Sequence, residues 1–206
     1  MKRNQVVLLM IFFVFIAIVV YTLQGGETEE EYSQRIIRDR KVTHDFMLTS
    51  EESPFGEDLK KDFQGLNYFP VDPKYRIRAR FEPIKQRDVL SMPTSTGETE
   101  NYVKKGYAKF DLDGQEHRLL ILQSETEQSG EFFLPFADET SGDETYGGGR
   151  YINIEPTTTS VINIDFNKAY NPYCAYNETY SCPLPPQENV LPVPILAGEK
   201  IFENYH

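Results

Sequence analysis

The strongest constraint on the fold is a pair of alternating segments joined by Asp113-Gly114. Residues 102–111 and 116–123 each alternate apolar with polar side chains. A period of two is typical of a strand with one buried face. Asp-Gly between two such segments favours a tight two-residue turn. The sequence therefore predicts a β-hairpin over residues 102–123.

Further short segments extend this pattern to seven predicted strands. The other five are residues 75–82, 89–92, 131–135, 150–155 and 160–166. Helices are predicted only before them, over residues 28–47 and from Ser53-Pro54 to Phe63, where Gly65 ends the second helix. This order predicts a mainly β (α+β) fold, an antiparallel barrel or sandwich with N-terminal helices.

The end of the chain is irregular and rich in proline. Five of the 13 prolines lie between Pro183 and Pro194. Proline restricts φ and removes a backbone donor, so this tail is expected to be extended and to wrap the barrel. We therefore divide the chain into a cytoplasmic N-terminus (residues 1–5), a transmembrane anchor (6–23), a helical lead-in (24–66) and a β-rich globular domain (67–206).

The anchor is predicted from an apolar run that begins at Val6 and ends at Leu23 and carries no charge. As a helix, its 18 residues would span about 27 Å, close to the thickness of a bilayer core. Lys2 and Arg3 precede it, which places the N-terminus inside and the domain outside, in the periplasm or at the cell surface. The alternative is a signal peptide cleaved near Gly25, although no small-residue cleavage pattern ends the run.

The formal net charge of -11 bears on the partners of the protein. An acidic surface repels phosphate backbones, so a nucleic-acid partner is not expected. It also repels anionic head groups, so contact with a membrane is expected only through the anchor. The sequence does not identify a protein partner.

A row of arginines lies on the exposed face of the first predicted strand, at Arg76, Arg78 and Arg80. Such a row can bind an anion. The alternative is a solvated face with acidic cross-strand partners, which an acidic chain supplies readily.

The segment from Tyr146 to Arg150 contains three consecutive glycines. It leads into a strand rather than a helix, which excludes a phosphate loop or a dinucleotide fingerprint. Glycines still allow close backbone approach to a ligand, and an arginine can clamp an anion. The alternative is a tight strand entry that requires positive φ. The predicted ligand-binding residues are Asp138, Thr140, Tyr146, Gly147, Gly148, Gly149, Arg150, Asp165, Asn167, Tyr170 and Asn171.

Loop carboxylates suggest two further kinds of chemistry. Asp138, Asp143 and Glu144 precede the glycines, and Asp165 follows a strand. Oxygen-rich loops can hold Ca²⁺, but the regular calcium-loop spacing is absent. Paired carboxylates can also act as acid and base in a hydrolase. Turn and cap hydrogen bonds are the alternative, so we assign no catalytic residue, metal ligand or cofactor.

Cys174 and Cys182 are the only two cysteines. Outside the cytoplasm they are expected to form a disulfide, with another structural role or a reactive thiol as alternatives. The three histidines show no metal-ligand spacing. Asn177-Glu178-Thr179 is a glycosylation sequon that matters only in a host with that machinery.

Several long segments resemble one known family. They are LPFADETSGDETYGGGRYI, DFNKAYNPYCAY and CPLPPQENVLPVPILAGE, together with FQGLNYFPVDPKYRIRARFE between Phe63 and Glu82. The chain is similar over residues 29–199 to a bacterial family of proteins of unknown function, number 1684. The resemblance implies a compact, largely β domain of an envelope protein and brings no activity or catalytic residues.

These observations predict a membrane-anchored extracytoplasmic domain that binds a small polar or anionic ligand or acts as an envelope accessory protein. One alternative is an envelope hydrolase that uses Asp138 or Asp165, with or without a metal. The other is a structural or protein-interaction module.

Overall fold

The computed structural model describes residues 5, 10–16, 26–126 and 130–202. Between residues 26 and 202, strands dominate and the longer helices come first, as the sequence predicts. The elements are α1 (Glu29–Thr49), α2 (Glu57–Asp62), β1 (Arg76–Pro83), β2 (Val89–Pro93), β3 (Thr99–Leu112), β4 (Gln115–Ser124), β5 (Phe132–Phe136), β6 (Arg150–Ile154) and β7 (Val161–Asp165).

The strands form one sheet in the order β6-β5-β4-β3-β1-β7, and β2 also pairs with β3. Every strand pair is antiparallel. The architecture is a mainly antiparallel β half-barrel with few helices, which confirms the predicted fold class in outline. The edge strands β6 and β7 lie at the two ends of the sheet order, and the chain that follows β7 pairs with β6 through Tyr170 and Tyr151.

The predicted hairpin is β3 and β4. Leu112 pairs with Gln115 across the turn. Asp113 and Gly114 have φ values of 55° and 78°, and positive φ at both central residues is what a tight two-residue hairpin turn requires.

The core lies on the concave face of the half-barrel. Alternate residues of β1, β3, β4, β5, β6 and β7 belong to it. Phe166, Leu191, Ile195 and Ala197 close it from the chain that follows β7. Full burial of a large apolar side chain contributes about 1.5–3 kcal/mol relative to its exposure. The tail is thus part of the core rather than a free extension.

Asn189 in this tail bridges two strands whose ladder is short. β4 and β5 share one paired position, Leu122 with Phe133. The Asn189 side chain donates to the carbonyls of Leu120 (2.9 Å) and Pro135 (2.8 Å) and accepts from the Leu120 N–H (2.7 Å). Asn189 therefore links β4 and β5 where these two strands no longer hydrogen-bond to each other.

Helix α1 begins after Thr28, whose side chain forms a capping box with Glu31. Its narrow apolar face buries Tyr32, Ile36 and Met47. The Tyr32 hydroxyl donates at 2.7 Å to Asp165, the last residue of β7. The helix therefore lies over one edge of the domain.

Helix α2 begins later than the sequence suggested. Its N-cap is Gly56, not Ser53. The Ser53 hydroxyl instead donates to the carbonyl of Met47 at 2.7 Å and so fixes the chain that leaves α1. Ser53-Pro54 therefore lies in the connection between α1 and α2 and does not begin α2.

The predicted transmembrane anchor lies largely outside the described residues. Residues 10–16 are helical, and the rest of the run that begins at Val6 and ends at Leu23 is not described. Across the described residues, we find no helix with the length and apolar character needed to cross a membrane.

Candidate functional site

The predicted ligand residues do not form a single site. They fall into a buried ion-pair cluster around Arg150, a glycine turn that begins at Tyr146 beside Cys174, and a cleft between α1 and the chain that follows β7. The three places have different chemistry.

The Arg150 cluster is closed to solvent. Arg150 and Asp138 form an ion pair of 2.8 Å, with both side chains 0% exposed. Arg150 also donates to the backbone carbonyls of Ile195 (3.0 Å), Glu199 (3.1 Å) and Ala197. Its guanidinium is thus directed at the protein's own tail, an arrangement that the strand-entry interpretation explains without a ligand.

Asp138 has no carboxylate oxygen directed at solvent either. One oxygen pairs with Arg150, and the other accepts from the N–H and hydroxyl of Thr140 (2.9 and 2.6 Å) and the N–H of Ile195 (3.2 Å). Thr140 and Thr145 share a hydroxyl hydrogen bond of 2.8 Å. These are the turn and cap bonds that were the alternative to a catalytic or calcium-binding role.

The glycines form a tight turn against the tail. Gly149 has φ +84°, and a Cβ there would lie 2.6 Å from both the carbonyl oxygen of Phe136 and a ring carbon of Pro185. Gly147 and Gly148 complete the same turn. At Gly149, the missing side chain therefore lets the backbone pack closely against Phe136 and Pro185 of the same protein.

Tyr146 begins this turn and contacts the two cysteines. Its hydroxyl lies 3.6 Å from Sγ of Cys174, and the Cys174 N–H donates to Sγ of Cys182 at 3.2 Å. Both side chains are buried thiols. Hydrogen bonding with the Cys182 thiol lowers the pKa of Cys174 to about 6. The disulfide stays a prediction, and the geometry brings the two residues together.

Two of the three arginines in the row have acidic partners, but these partners are not on neighbouring strands, since Glu27 precedes α1 and Glu82 lies on β1 itself. Arg76 pairs with Glu27 at 2.8 Å and Arg80 with Glu82 at 3.0 Å. Arg76 also lies over the ring of Tyr32, 4.9 Å from its centroid. These contacts match the solvated-face alternative.

The remaining predicted residues lie at a cleft of about 450 Å³. We call it the helix cleft, because α1 forms one wall and the chain after β7 forms the other. It is lined by Ile36, Asp39, Arg40, Thr43, Phe46, Met47, Tyr68, Asn153, Asn167, Lys168, Ala169, Tyr170, Asn171, Tyr173, Tyr176 and Glu199. Asp165, which accepts from Tyr32, lies in the neighbouring groove between β6 and β7.

Asn167 holds the two walls of the helix cleft together. Its side-chain amide donates to the Tyr32 hydroxyl (2.9 Å) and the Asp72 carbonyl (2.8 Å), and its oxygen accepts from the Asp72 N–H (2.9 Å). Its polar groups are therefore used inside the protein, so Asn167 positions the cleft.

Glu199 forms the buried floor of the helix cleft. It is 1% exposed, and its carboxylate accepts from the Asn171 N–H (3.1 Å), the Asn171 side-chain amide (2.9 Å) and the Tyr176 hydroxyl. Burial raises its pKa to about 7, because desolvation outweighs the hydrogen bonds from Tyr176 and Asn171 that favour the charged form. Near neutral pH this carboxyl is poised between two protonation states.

Arg40 lies opposite on α1, over the ring of Tyr68 at 4.4 Å from its centroid. It donates to the carbonyls of Phe69 (3.0 Å) and Asn167 (3.4 Å). Burial lowers its pKa, although the side chain remains a cation at neutral pH. A half-buried cation and a buried carboxyl thus share one cleft.

Two polar atoms of this cleft are buried without a hydrogen-bond partner. In the described part of the chain, such atoms are Arg40 Nε, His117 Nε2, Arg150 Nε and Asn171 Oδ1. Arg40 and Asn171 both line the helix cleft. A buried polar atom without a partner costs about 1–3 kcal/mol, so these two atoms make the wall of the helix cleft less stable than a fully hydrogen-bonded one.

Sequence reasoning found Asn167, Tyr170 and Asn171 at this cleft but missed Arg40, Tyr68, Tyr176 and Glu199. Arg40 lies in a helix without a recognisable site motif, and Glu199 lies in a tail without periodicity. Within the described residues, no group of three or more His, Cys, Asp or Glu side chains is arranged to hold a metal ion.

The fold and cleft define a half-barrel domain with one polar cleft beside its N-terminal helix. The model of a family described as "Protein of unknown function (DUF1684)" matches residues 61–200, and the chain belongs to that family. It is also similar to the solution NMR structure of an uncharacterized protein from gene locus rrnAC0354 of Haloarcula marismortui. The two chains are 35% identical, with a TM-score of 0.66, over 83% of this chain and 95% of that one. Comparison with curated proteins gave no match.

Proposed function

We propose that this protein is a membrane-anchored extracytoplasmic domain that binds a small polar or anionic ligand in the helix cleft. The observation that carries the proposal is a cavity of about 450 Å³ whose lining contains the cation Arg40 and the buried carboxyl Glu199.

The charges of the cleft support a polar ligand with a negative group. Arg40 offers a donor, and Lys168 lies at the wall, where it pairs with Asp39 at 3.6 Å. Glu199 near its pKa accepts a hydrogen bond when ionised and donates one when protonated. Affinity for an anion should therefore fall as pH rises through about 7, because the ionised carboxyl repels it.

The test is a thermal-shift series on the full chain with malate, glutamate, glucose and inorganic phosphate. A ligand present at 100 times its dissociation constant stabilises the folded state by about 2.7 kcal/mol. We expect at least one member of the series to raise the melting temperature, and Arg40→Met to abolish the rise. Arg38→Met is the matched control, since Arg38 lies on the exposed face of the same helix.

A melting-temperature rise that survives Arg40→Met would contradict the location. No rise with any member of the series would count against a small polar ligand. Loss of the rise in both arginine variants would show a general charge effect rather than a site on the cleft wall.

The anchor is the other half of the proposal and rests on the uncharged run that begins at Val6. The full chain is expected in the membrane fraction after an alkaline wash, and a chain lacking residues 6–23 in the soluble fraction. Recovery of a mature chain that begins near Gly25 would instead show a cleaved signal peptide.

A hydrolase is the second candidate, supported by the carboxyl of Glu199. A pKa near the working pH is what general acid–base catalysis needs. Of the two carboxylates named from sequence, Asp138 is paired with Arg150 and Asp165 accepts from the Tyr32 hydroxyl. Turnover of chromogenic phosphate, ester or glycoside substrates that Glu199→Gln abolishes and Glu139→Gln preserves would favour this candidate.

A further inference from the structure

A second cleft, on the outer face of the sheet, is lined by a different set of side chains. Its volume is about 410 Å³, and we call it the aromatic cleft. Six aromatic side chains line it: Tyr102, Phe133, Tyr151, Tyr170, Tyr173 and Tyr180. The charged group in its lining is the carboxylate of Glu100, and no lysine or arginine is present among these lining residues.

The rings are arranged as walls rather than as one flat platform. Tyr173 and Tyr180 meet at 82° with centroids 5.3 Å apart, and Tyr151 and Tyr170 meet at 90° at 5.9 Å. Phe133 and Tyr151 meet at 74° at 4.8 Å. Rings at near right angles present faces and edges in several directions, which suits a rounded ligand better than a planar one.

The ring orientations are fixed before any ligand arrives. The Tyr102 hydroxyl donates to Glu100 (2.9 Å), that of Tyr151 to the Pro183 carbonyl (2.6 Å) and that of Tyr170 to Asn153 (3.0 Å). Tyr102, Phe133 and Tyr151 also stand on strands β3, β5 and β6. Such preorganisation reduces the entropy lost on binding.

The same hydroxyl bonds argue against a sugar. Carbohydrate recognition needs polar groups that are available to the sugar hydroxyls, and three of the tyrosine hydroxyls donate to acceptors in the protein. Ring faces carry negative electrostatic potential and attract cations, most strongly when the site is partly desolvated. Glu100 adds a negative charge at the same cleft, in a chain of net charge -11.

We propose that the aromatic cleft binds a small organic cation, a quaternary or methylated ammonium group, enclosed by the tyrosine rings and balanced by Glu100. This site is separate from the proposed function, although Tyr170 and Tyr173 also line the helix cleft. Its preference for a cation is opposite to the anionic preference of the helix cleft.

The test compares choline with its uncharged isostere 3,3-dimethylbutan-1-ol by calorimetry on the full chain. Because the two molecules have nearly the same shape, a difference in affinity reports the charge. We expect choline to bind about tenfold or more tightly than the alcohol. Equal affinities would overturn the proposal by showing an apolar slot, and so would no detectable choline binding.

Single substitutions test whether choline binds in the aromatic cleft. Tyr180→Leu and the conservative Glu100→Gln should each weaken choline binding several-fold, whereas Tyr107→Leu, outside the cleft, should not. Arg40→Met should leave choline binding unchanged, which separates failure of this proposal from failure of the helix cleft. Glucose that binds with similar affinity and is lost in Tyr180→Leu would overturn the cation assignment in favour of a sugar.

Discussion

Two buried polar clusters in this domain differ in how their charged group is partnered. In the Arg150 cluster, the cation faces Asp138 and three backbone carbonyls. In the Glu199 cluster, the carboxyl has neutral donors but no direct cation, and its neighbour Asn171 keeps an unfilled acceptor. Among the described residues, each cluster contains one buried polar atom without a partner, Arg150 Nε in the first and Asn171 Oδ1 in the second. The first cluster is closed to solvent, whereas the second lines a cavity of about 450 Å³.

The comparison teaches that a buried charge is not evidence for a ligand unless it borders a cavity. Arg150 drew attention in the sequence because it follows three glycines, and its bonds fix the tail to the barrel. Glu199 had no sequence signal, yet it lines a cavity and burial raises its pKa to about 7. A cavity and a perturbed pKa are therefore the better guide to the site here.

The largest expected effect is on the closed cluster. Arg150→Met should destabilise the fold by about 3–5 kcal/mol, since it leaves Asp138 buried without its partner. Denaturant unfolding of the variant and of wild type measures this. Arg80→Met is the control, because Arg80 is 64% exposed and pairs with an exposed glutamate, so its loss should cost about 0.5 kcal/mol or less. Similar losses at both positions would break the comparison.

The Glu199 cluster should instead make the free energy of unfolding depend on pH. Because the folded pKa is raised above its usual value of 4.5, the folded protein holds a proton that the unfolded chain releases. Its contribution to stability is complete below pH 4.5 and is lost as pH rises through about 7, a total of roughly 3 kcal/mol.

Denaturant unfolding across that pH range in wild type and Glu199→Gln measures this contribution as a difference between the two chains. Glu139→Gln, on an exposed residue, should follow wild type. If the Glu199→Gln curve parallels wild type over the whole range, the carboxyl titrates normally and the comparison fails.

A smaller effect is expected at the glycine turn of the closed cluster. Gly149→Ala should cost about 2 kcal/mol or more, because the residue has φ +84° and the new methyl would meet the Phe136 carbonyl at 2.6 Å. Gly97→Ala is a matched control with the same φ but no atom within 4 Å. Thermal melts should separate the two. Equal costs would show that φ alone matters and that the turn is not packed.

The smallest effect is expected at Tyr176. Tyr176→Phe removes one hydrogen bond to the Glu199 carboxylate, which should cost about 1 kcal/mol and raise the pKa of Glu199 further. The pH at which stability changes most steeply should therefore move upward. An unchanged dependence of stability on pH would show that the Tyr176 hydroxyl does not influence the pKa of Glu199.

Local patterns explain what could be predicted. All seven strands were predicted because alternation and the Asp113-Gly114 turn are local signals. The cleft could not be predicted as a unit, since Arg40, Tyr68, Asn171 and Glu199 are brought together only by tertiary packing. Whether Arg150 faced a ligand or the tail depended on residues 195–199, which carry no periodic pattern.

The most direct test of the account is amide NMR of the full chain in detergent micelles during titration with malate, or with whichever member of the thermal-shift series stabilises it most. The account predicts that the largest shifts fall on the Asn171 side-chain amide and on Ala169, Thr43 and Glu199. Shifts centred on residues 138–150, with these four unchanged, would contradict it and return the ligand to the glycine turn.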